Sequence, residues 1–219
     1  MRKLAFFAAV FATLAFASLA SAQQGDVYIG GGTLLSSSAS SSSLVTGTNC
    51  GVNSSGGFLC PEKGGTYLNV GADVIFHKRM GVAFDVNWKA GQGSIGGPGG
   101  QPYRPILWDF NGVYQPRLSK KVGVDLVGGI GWQNTRFYSY QANTSCLYFG
   151  ACYTSSNHFL IDLGAGVRYY FYGHAFVRPE VRYFYILNNT DTSGSTGFGF
   201  TSNNVIRVGA SIGYTIGPD

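Results

Sequence analysis

Few residues in this chain are equipped for chemistry. Its 219 residues include three histidines. His77 and His174 fall in short connections, and His158 opens an alternating segment. A general base needs a nucleophile or an acid within hydrogen-bond reach. The spacing supplies none to His158, since the residue two further on is Leu160 and a pairing with Asp109 has no support from position. Asp125, Asp162 and Glu180, set among arginines, have the groups for acid–base work, but interior ion-pair networks perturb charges in the same way. The glycine-rich stretch 91–100 has the composition of a phosphate loop without its Lys-Ser/Thr and following helix; it reads as a flexible surface loop. The four cysteines form two close pairs, Cys50/Cys60 and Cys146/Cys152, and neither has the CxxC spacing of a metal knuckle. Disulfides are expected instead. Four cysteines allow three connectivities, and proximity favours the local one, in which each bridge sits within one loop. No catalytic residue, cofactor or metal site is expected.

The composition limits what could carry these residues. Charged residues are 11% of the chain, against about 25% in ordinary soluble proteins. Aromatics reach 15% and glycines number 33. A net charge of +5, dispersed along the chain, does not suggest nucleic acid as a partner. The start has the form of a secretory leader: Arg2 and Lys3, an apolar run over 4–17, then Ala20-Ser21-Ala22. That run is short for a spanning helix of about 20 residues. Cleavage is expected before Gln23, leaving 23–219 as one domain. Export would take the cysteines through an oxidising compartment.

Eight segments alternate with a period of two, the mark of strands with unlike faces. They cover 26–33, 67–76, 82–89, 106–115, 122–135, 158–171, 176–187 and 205–216. Most are near the 9–11 residues of a tilted transmembrane strand. Long connections rich in Ser, Gly, Asn and Thr (34–66, 90–105, 136–157, 188–204) alternate with short ones (77–81, 116–121, 172–175). The rhythm is that of an up-and-down meander, which loses its edges by closing into a barrel.

The last segment, Val-Ile-Arg-Val-Gly-Ala-Ser-Ile-Gly-Tyr-Thr-Ile, shows the two faces. One carries Ile206, Val208, Ala210, Ile212, Tyr214 and Ile216, the other Arg207, Gly209, Ser211 and Thr215. Across all segments the polar face holds six acids (Asp73, Asp85, Asp109, Asp125, Asp162, Glu180) and five bases (Lys89, Arg168, Arg178, Arg182, Arg207). Such near balance suits a narrow lumen, where an unpaired charge costs several kcal/mol. Lys63, Lys78, Lys120 and Lys121 fall in connections. Trp88, Trp108 and Trp132 cluster near the long-loop ends, while Tyr169, Phe171 and Tyr214 lie near the short turns. Two aromatic bands match the two interfaces of a bilayer. The apolar face is therefore assigned to lipid, and the fold to an all-β, eight-stranded antiparallel transmembrane barrel. On this assignment Val208→Arg blocks assembly and Ser211→Arg is better tolerated.

With these features the chain resembles the small eight-stranded outer-membrane barrels of the OmpA-transmembrane-domain and OmpX type. The sharpest piece is the last-strand pattern, filled by Arg207, Gly209, Ile212 and Tyr214, although Thr215–Asp219 follow where the aromatic usually ends the chain. The resemblance implies outer-membrane location, short periplasmic turns, long extracellular loops and recognition of that pattern by the barrel-assembly machinery. Its expected surroundings are outer-membrane lipid and lipopolysaccharide. Lipid A deacylases, which share this topology, carry His and Ser two apart on one strand, a match that Leu160 breaks. Eight strands enclose an interior that side chains just fill, and Arg168, Tyr170, Arg178 and Arg182 would block it further. The expected function is a sealed barrel serving envelope structure, or surface interaction with an extracellular ligand through disulfide-tied loops that hold Tyr140, Tyr148, Phe149 and Tyr153. A narrow diffusion pore and a lipid-modifying enzyme are the alternatives.

Overall fold

The computed structural model describes residues 24–36, 50–52, 58–77, 79–95, 100–138, 153–190 and 198–217. The expected leader, Cys146, Cys152, Tyr140, Tyr148 and Phe149 lie outside these. In chain order the strands are β1 (Gln24–Ser36), β2 (Gly51–Val52), β3 (Phe58–Cys60), β4 (Tyr67–His77), β5 (Met80–Lys89), β6 (Gly93–Ile95), β7 (Gln101–Tyr114), β8 (Val122–Tyr138), β9 (Tyr153–Tyr172), β10 (Ala175–Ile186), β11 (Phe198–Phe200) and β12 (Asn204–Ile216). The eight long strands pair antiparallel in the order β5-β4-β1-β12-β10-β9-β8-β7, and β5 pairs with β7 to close the barrel. The seam between first and last strand runs from Gly25↔Ile216 to Ser36↔Val205.

Each barrel strand keeps one side chain in two on each wall. On β12, Ile206, Val208, Ile212, Tyr214 and Ile216 are exposed, while Arg207, Ser211 and Thr215 are buried. The same split puts Val27 and Ile29 outside and Asp26 and Tyr28 inside on β1. A slip of one residue would exchange the faces, so the lipid-facing apolar set fixes the register of every strand.

The structure extends four of the expected strands at the long-loop end by three residues or more, β1 among them, which runs on to Ser36. β7 begins at Gln101, β8 reaches Tyr138 and β9 starts at Tyr153, with Tyr138↔Tyr153 as the last pair. Residues 153–157 carry no alternation of hydrophobicity, because a hairpin rising beyond the bilayer meets water on its outer wall. Four short strands lie in connections that read as irregular. β3 pairs antiparallel with β2 and parallel with β11, and β6 lies on β7. A disulfide joins Cys50 to Cys60 within this cap.

The interior is layered along the barrel axis. Ile75, Ala83 and Val113, with Val127 against them, form an apolar layer near the short turns. Leu34, Tyr67, Leu107, Leu160, Phe184, Ile186 and Val205 form a second near the long loops. Cys50, Cys60, Ile95, Tyr103, Phe137 and Phe200 form a third, inside the cap. Charged side chains fill the space between the first two. A fully buried Leu contributes about 1.5–3 kcal/mol, so the apolar layers stabilise the barrel. The polar face of the sequence is thus interrupted by apolar layers, with its charge network at mid-height between them.

Candidate functional site: the filled lumen and its cap

Mid-height ion pairs converge on two guanidinium hubs. Arg168 on β9 holds Asp125 of β8 (Nη2 2.9 Å, Nε 3.2 Å), Asp73 of β4 (3.3 Å) and Asp26 of β1. Arg182 on β10 holds Asp162 of β9 (2.5 Å), Asp85 of β5 (2.6 Å) and Asp109 of β7 (3.3 Å). Glu180 joins the hubs. It bonds Arg207 at 2.6 Å and Arg178 at 3.2 Å and lies 3.8 Å from Arg182, while Arg178 reaches Asp125 at 3.3 Å. Register explains the hubs: Asp26 faces Asp73, and Asp85 faces Asp109, directly across neighbouring strands. Like charges so opposed destabilise a sheet unless a cation sits between them. Arginine suits the post because its planar fork meets several carboxylates at once.

Of the lumen residues named from the sequence, Asp73, Asp85, Asp109, Asp125, Asp162, Arg168, Arg178, Glu180, Arg182 and Arg207 come together in this one network. Asp26 belongs to it as well and was missed, because its glycine-rich strand alternates weakly; following Asp26 and Tyr28 against Val27 and Ile29 would have found it. Lys89 stands apart. Its Nζ donates to the Gly64 carbonyl (3.3 Å) and lies over the rings of Tyr67 (5.6 Å) and Tyr103 (5.3 Å), beneath the cap. Strand alternation gives the wall a residue faces but not its height, and Lys89 sits above the second apolar layer.

Glu62, an isolated acid in a Ser/Gly-rich connection, anchors the cap and was also missed. It is 0% exposed. Gln133 Nε2 donates to both its carboxylate oxygens at 3.0 Å, and Asn189 Nδ2 donates at 3.4 Å. Asn189 also donates to the Ser202 carbonyl (2.9 Å), and Gln133 to Thr135 (3.1 Å). Burial pushes the Glu62 carboxyl up to about 7, against the opposing pull of the Asn189 and Gln133 hydrogen bonds and the Lys89 charge.

The histidines show one feature that position alone did not. Ser156, two residues before His158 rather than after it, has its Oγ 2.8 Å from His158 Nε2. Glu62, the described acid at this end, has both oxygens committed to Gln133 and Asn189. Among the described residues no group of histidine, cysteine and carboxylates is placed to hold a metal ion.

At the short-turn end a cavity of about 490 Å³ is lined by Gln24, Arg79, Gln115, Arg117 and Tyr170 and stops at Asp125 and Arg168. The last-strand pattern divides between the walls. Arg207 and Gly209 face inward, whereas Ile212 and Tyr214 are exposed outside. Trp88, Trp108 and Trp132 stand on the outer wall near the long loops, Trp108 stacked on Trp132 at 4.8 Å. Tyr169, Phe171 and Tyr214 are exposed near the turns.

Comparison with known proteins agrees with this architecture. Residues 6–212 match the family described as Outer membrane protein beta-barrel domain. No curated protein sequence matches the chain. Among solved structures, Ail, the attachment invasion locus protein of Yersinia pestis, in complex with the heparin analogue sucrose octasulfate, aligns with a TM-score of 0.52 at 11% identity, covering 88% of this chain and 98% of Ail. Neisserial surface protein A (NspA) aligns with a TM-score of 0.53 at 12% identity, covering 87% of this chain and 95% of NspA. At these identities the likeness is one of fold.

Proposed function

This chain belongs to the outer membrane protein beta-barrel domain family, and from that premise we propose that it is a sealed barrel of the outer membrane acting through its capped extracellular end. One observation carries the reading. Arg182 and Arg207 lie across the lumen at 0–1% exposure, and the cavity at the periplasmic mouth ends at Asp125 and Arg168 without reaching them. Two further features support it. Apolar layers sit above and below the charges, and the cap anchored by Glu62 covers the extracellular opening. The periplasmic cavity is the feature that favours a narrow pore, but it stops at the Arg168 hub.

The role assigned to the cap is surface contact. A disulfide-clasped sheet on a rigid barrel presents a pre-ordered face, which lowers the entropy cost of binding. Conductance of the refolded chain in a planar bilayer, with folded insertion checked beforehand, tests the sealed reading. A silent membrane is expected; steady open channels would replace this reading with the pore.

A further inference from the structure

We propose that the outer wall of β7, β8 and β9 at the extracellular edge binds one outer-leaflet lipid whose sugar headgroup carries phosphate. The site is a stack of four rows fixed by strand register. The top row pairs Arg104 directly with Arg136. Below it come Ile106, Asn134 and Asn157, with Asn134 Nδ2 donating to Asn157 Oδ1 at 2.5 Å. The third row is the Trp108–Trp132 stack, with Phe159 edge-on to Trp132 at 5.4 Å. Exposed Phe110, Ile130 and Ile161 form the fourth. A concavity of about 520 Å³ lies over the middle rows. From top to bottom the wall offers cations, amides, aromatic faces and aliphatic surface. A phosphorylated glycolipid presents phosphate, sugar and amide groups, and acyl chains in that same order.

Charge decides the occupant. Two arginines at directly opposite register positions put like charges side by side on one wall, and no acid shares that wall: every Asp and Glu among the described residues is buried inside the barrel or under the cap. The Arg136 guanidinium is held 4.8 Å over the Tyr153 ring. The Arg104 Nε is buried without a hydrogen-bond partner. An anion with several acceptor oxygens between the two forks would relieve the repulsion and satisfy both. Height agrees as well. Arg104 lies four residues above Trp108, about 13 Å along the strand and roughly 10 Å along the membrane normal at ordinary barrel tilt. Tryptophans mark the interface, so the arginines stand at the level of headgroup phosphates. The inference rests on outer-membrane location and holds whether or not the lumen conducts.

Native mass spectrometry of the refolded chain in detergent micelles tests it, with a bisphosphorylated lipid A, its dephosphorylated counterpart and inorganic phosphate as probes. One phosphorylated lipid is expected to be retained. Replacing both arginines (R104Q with R136Q) should weaken it about tenfold or more, the loss of at least one charge-assisted contact. The dephosphorylated lipid should bind the unaltered chain no better than lipid A binds this variant, and inorganic phosphate should not displace the lipid. Arg79→Gln, at the periplasmic turn, should change nothing. Equal retention by the double variant, or equal binding of both lipids, overturns the proposal. Displacement by inorganic phosphate would reduce the arginine pair to a free-anion site and also overturn it. A heat-dependent gel shift confirms that each variant is folded. If the double variant does not fold, Arg104→Gln and Arg136→Gln singly must each weaken lipid A, or the proposal fails.

Discussion

The Tyr28 ring covers Gly71, its register partner across β1 and β4, and the Arg178 guanidinium lies 3.8 Å above the same ring. The arrangement recurs with Phe176 over Gly213 beneath Arg168 (4.2 Å), and with Tyr103 over Gly93 beneath Lys89 (5.3 Å). In each case a Cβ on the glycine would overlap the aromatic ring. A strand glycine leaves a hollow, the ring fills it, and the outer ring face holds a cation. The glycines thus set the positions of Arg168 and Arg178.

Gly71→Ala should therefore displace Tyr28 and loosen Arg178. Overpacking of this kind costs about 1–3 kcal/mol. A lowered urea midpoint of the refolded barrel is expected for Gly71→Ala. None is expected for Gly91→Ala, where a Cβ meets nothing within 4 Å.

Arg182→Leu would strand Asp85, Asp109 and Asp162 without their shared cation. Removing one member of a buried ion-pair set costs about 3–5 kcal/mol. Urea titration should show that loss, and a change near zero for Arg79→Leu in the exposed turn. Equal midpoints would mean that the hub does not hold the barrel together.

Neighbouring positions on β12 separate the two walls. Val208 faces lipid, where an arginine near the bilayer midplane costs about 2–4 kcal/mol, so Val208→Arg should fail to give the heat-modifiable folded band. For the lumen side the structure revises the sequence expectation. Ser211 is the register partner of Arg178, so an arginine there would meet a like charge in a filled interior. Ser211→Asp would instead meet a cation, and it should fold.

Cap docking should depend on pH through Glu62. Its carboxyl is raised to about 7 in the folded cap, from an ordinary value of 4.5. Below pH 4.5 it is protonated whether the cap is docked or released, and the docked cap is at its most stable. Between 4.5 and 7 the released segment gives up its proton first, so docking weakens as pH rises; above about 7 the effect is complete. Hydrogen exchange over residues 58–66 should therefore show less protection at pH 8 than at pH 5, after correction for intrinsic rates. Glu62→Gln should flatten the difference.

The eight strands were legible because lipid outside and charge inside write a strong period of two, as on β12. The extensions 101–105, 136–138 and 153–157 were not, since above the bilayer that contrast disappears. Arg168, Arg182 and their aspartates could be placed on one wall from alternation. Which acid meets which arginine depends on barrel stagger, a property of closure that no single segment carries. Glu62 escaped for a related reason: a lone acid in a Ser/Gly-rich loop has no pattern around it, and its role arises from Gln133 and Asn189, brought to it by β8 and by the residues following β10.

The Arg182 hub also constrains the order of assembly. Its partners lie 20, 73 and 97 residues away along the chain, on β9, β7 and β5. A hairpin of β9 and β10 entering the bilayer alone would carry Arg168, Arg178 and Arg182 against only Asp162 and Glu180, while β5 and β7 would bring Asp85 and Asp109 with no cation at their height, Lys89 lying above the second apolar layer and Arg104 on the outer wall. Each fragment holds a charge it cannot neutralise in a low-dielectric surrounding, and only the complete ring of strands cancels them. Partly inserted intermediates should accordingly be sparse, and insertion and closure should proceed as one concerted transition.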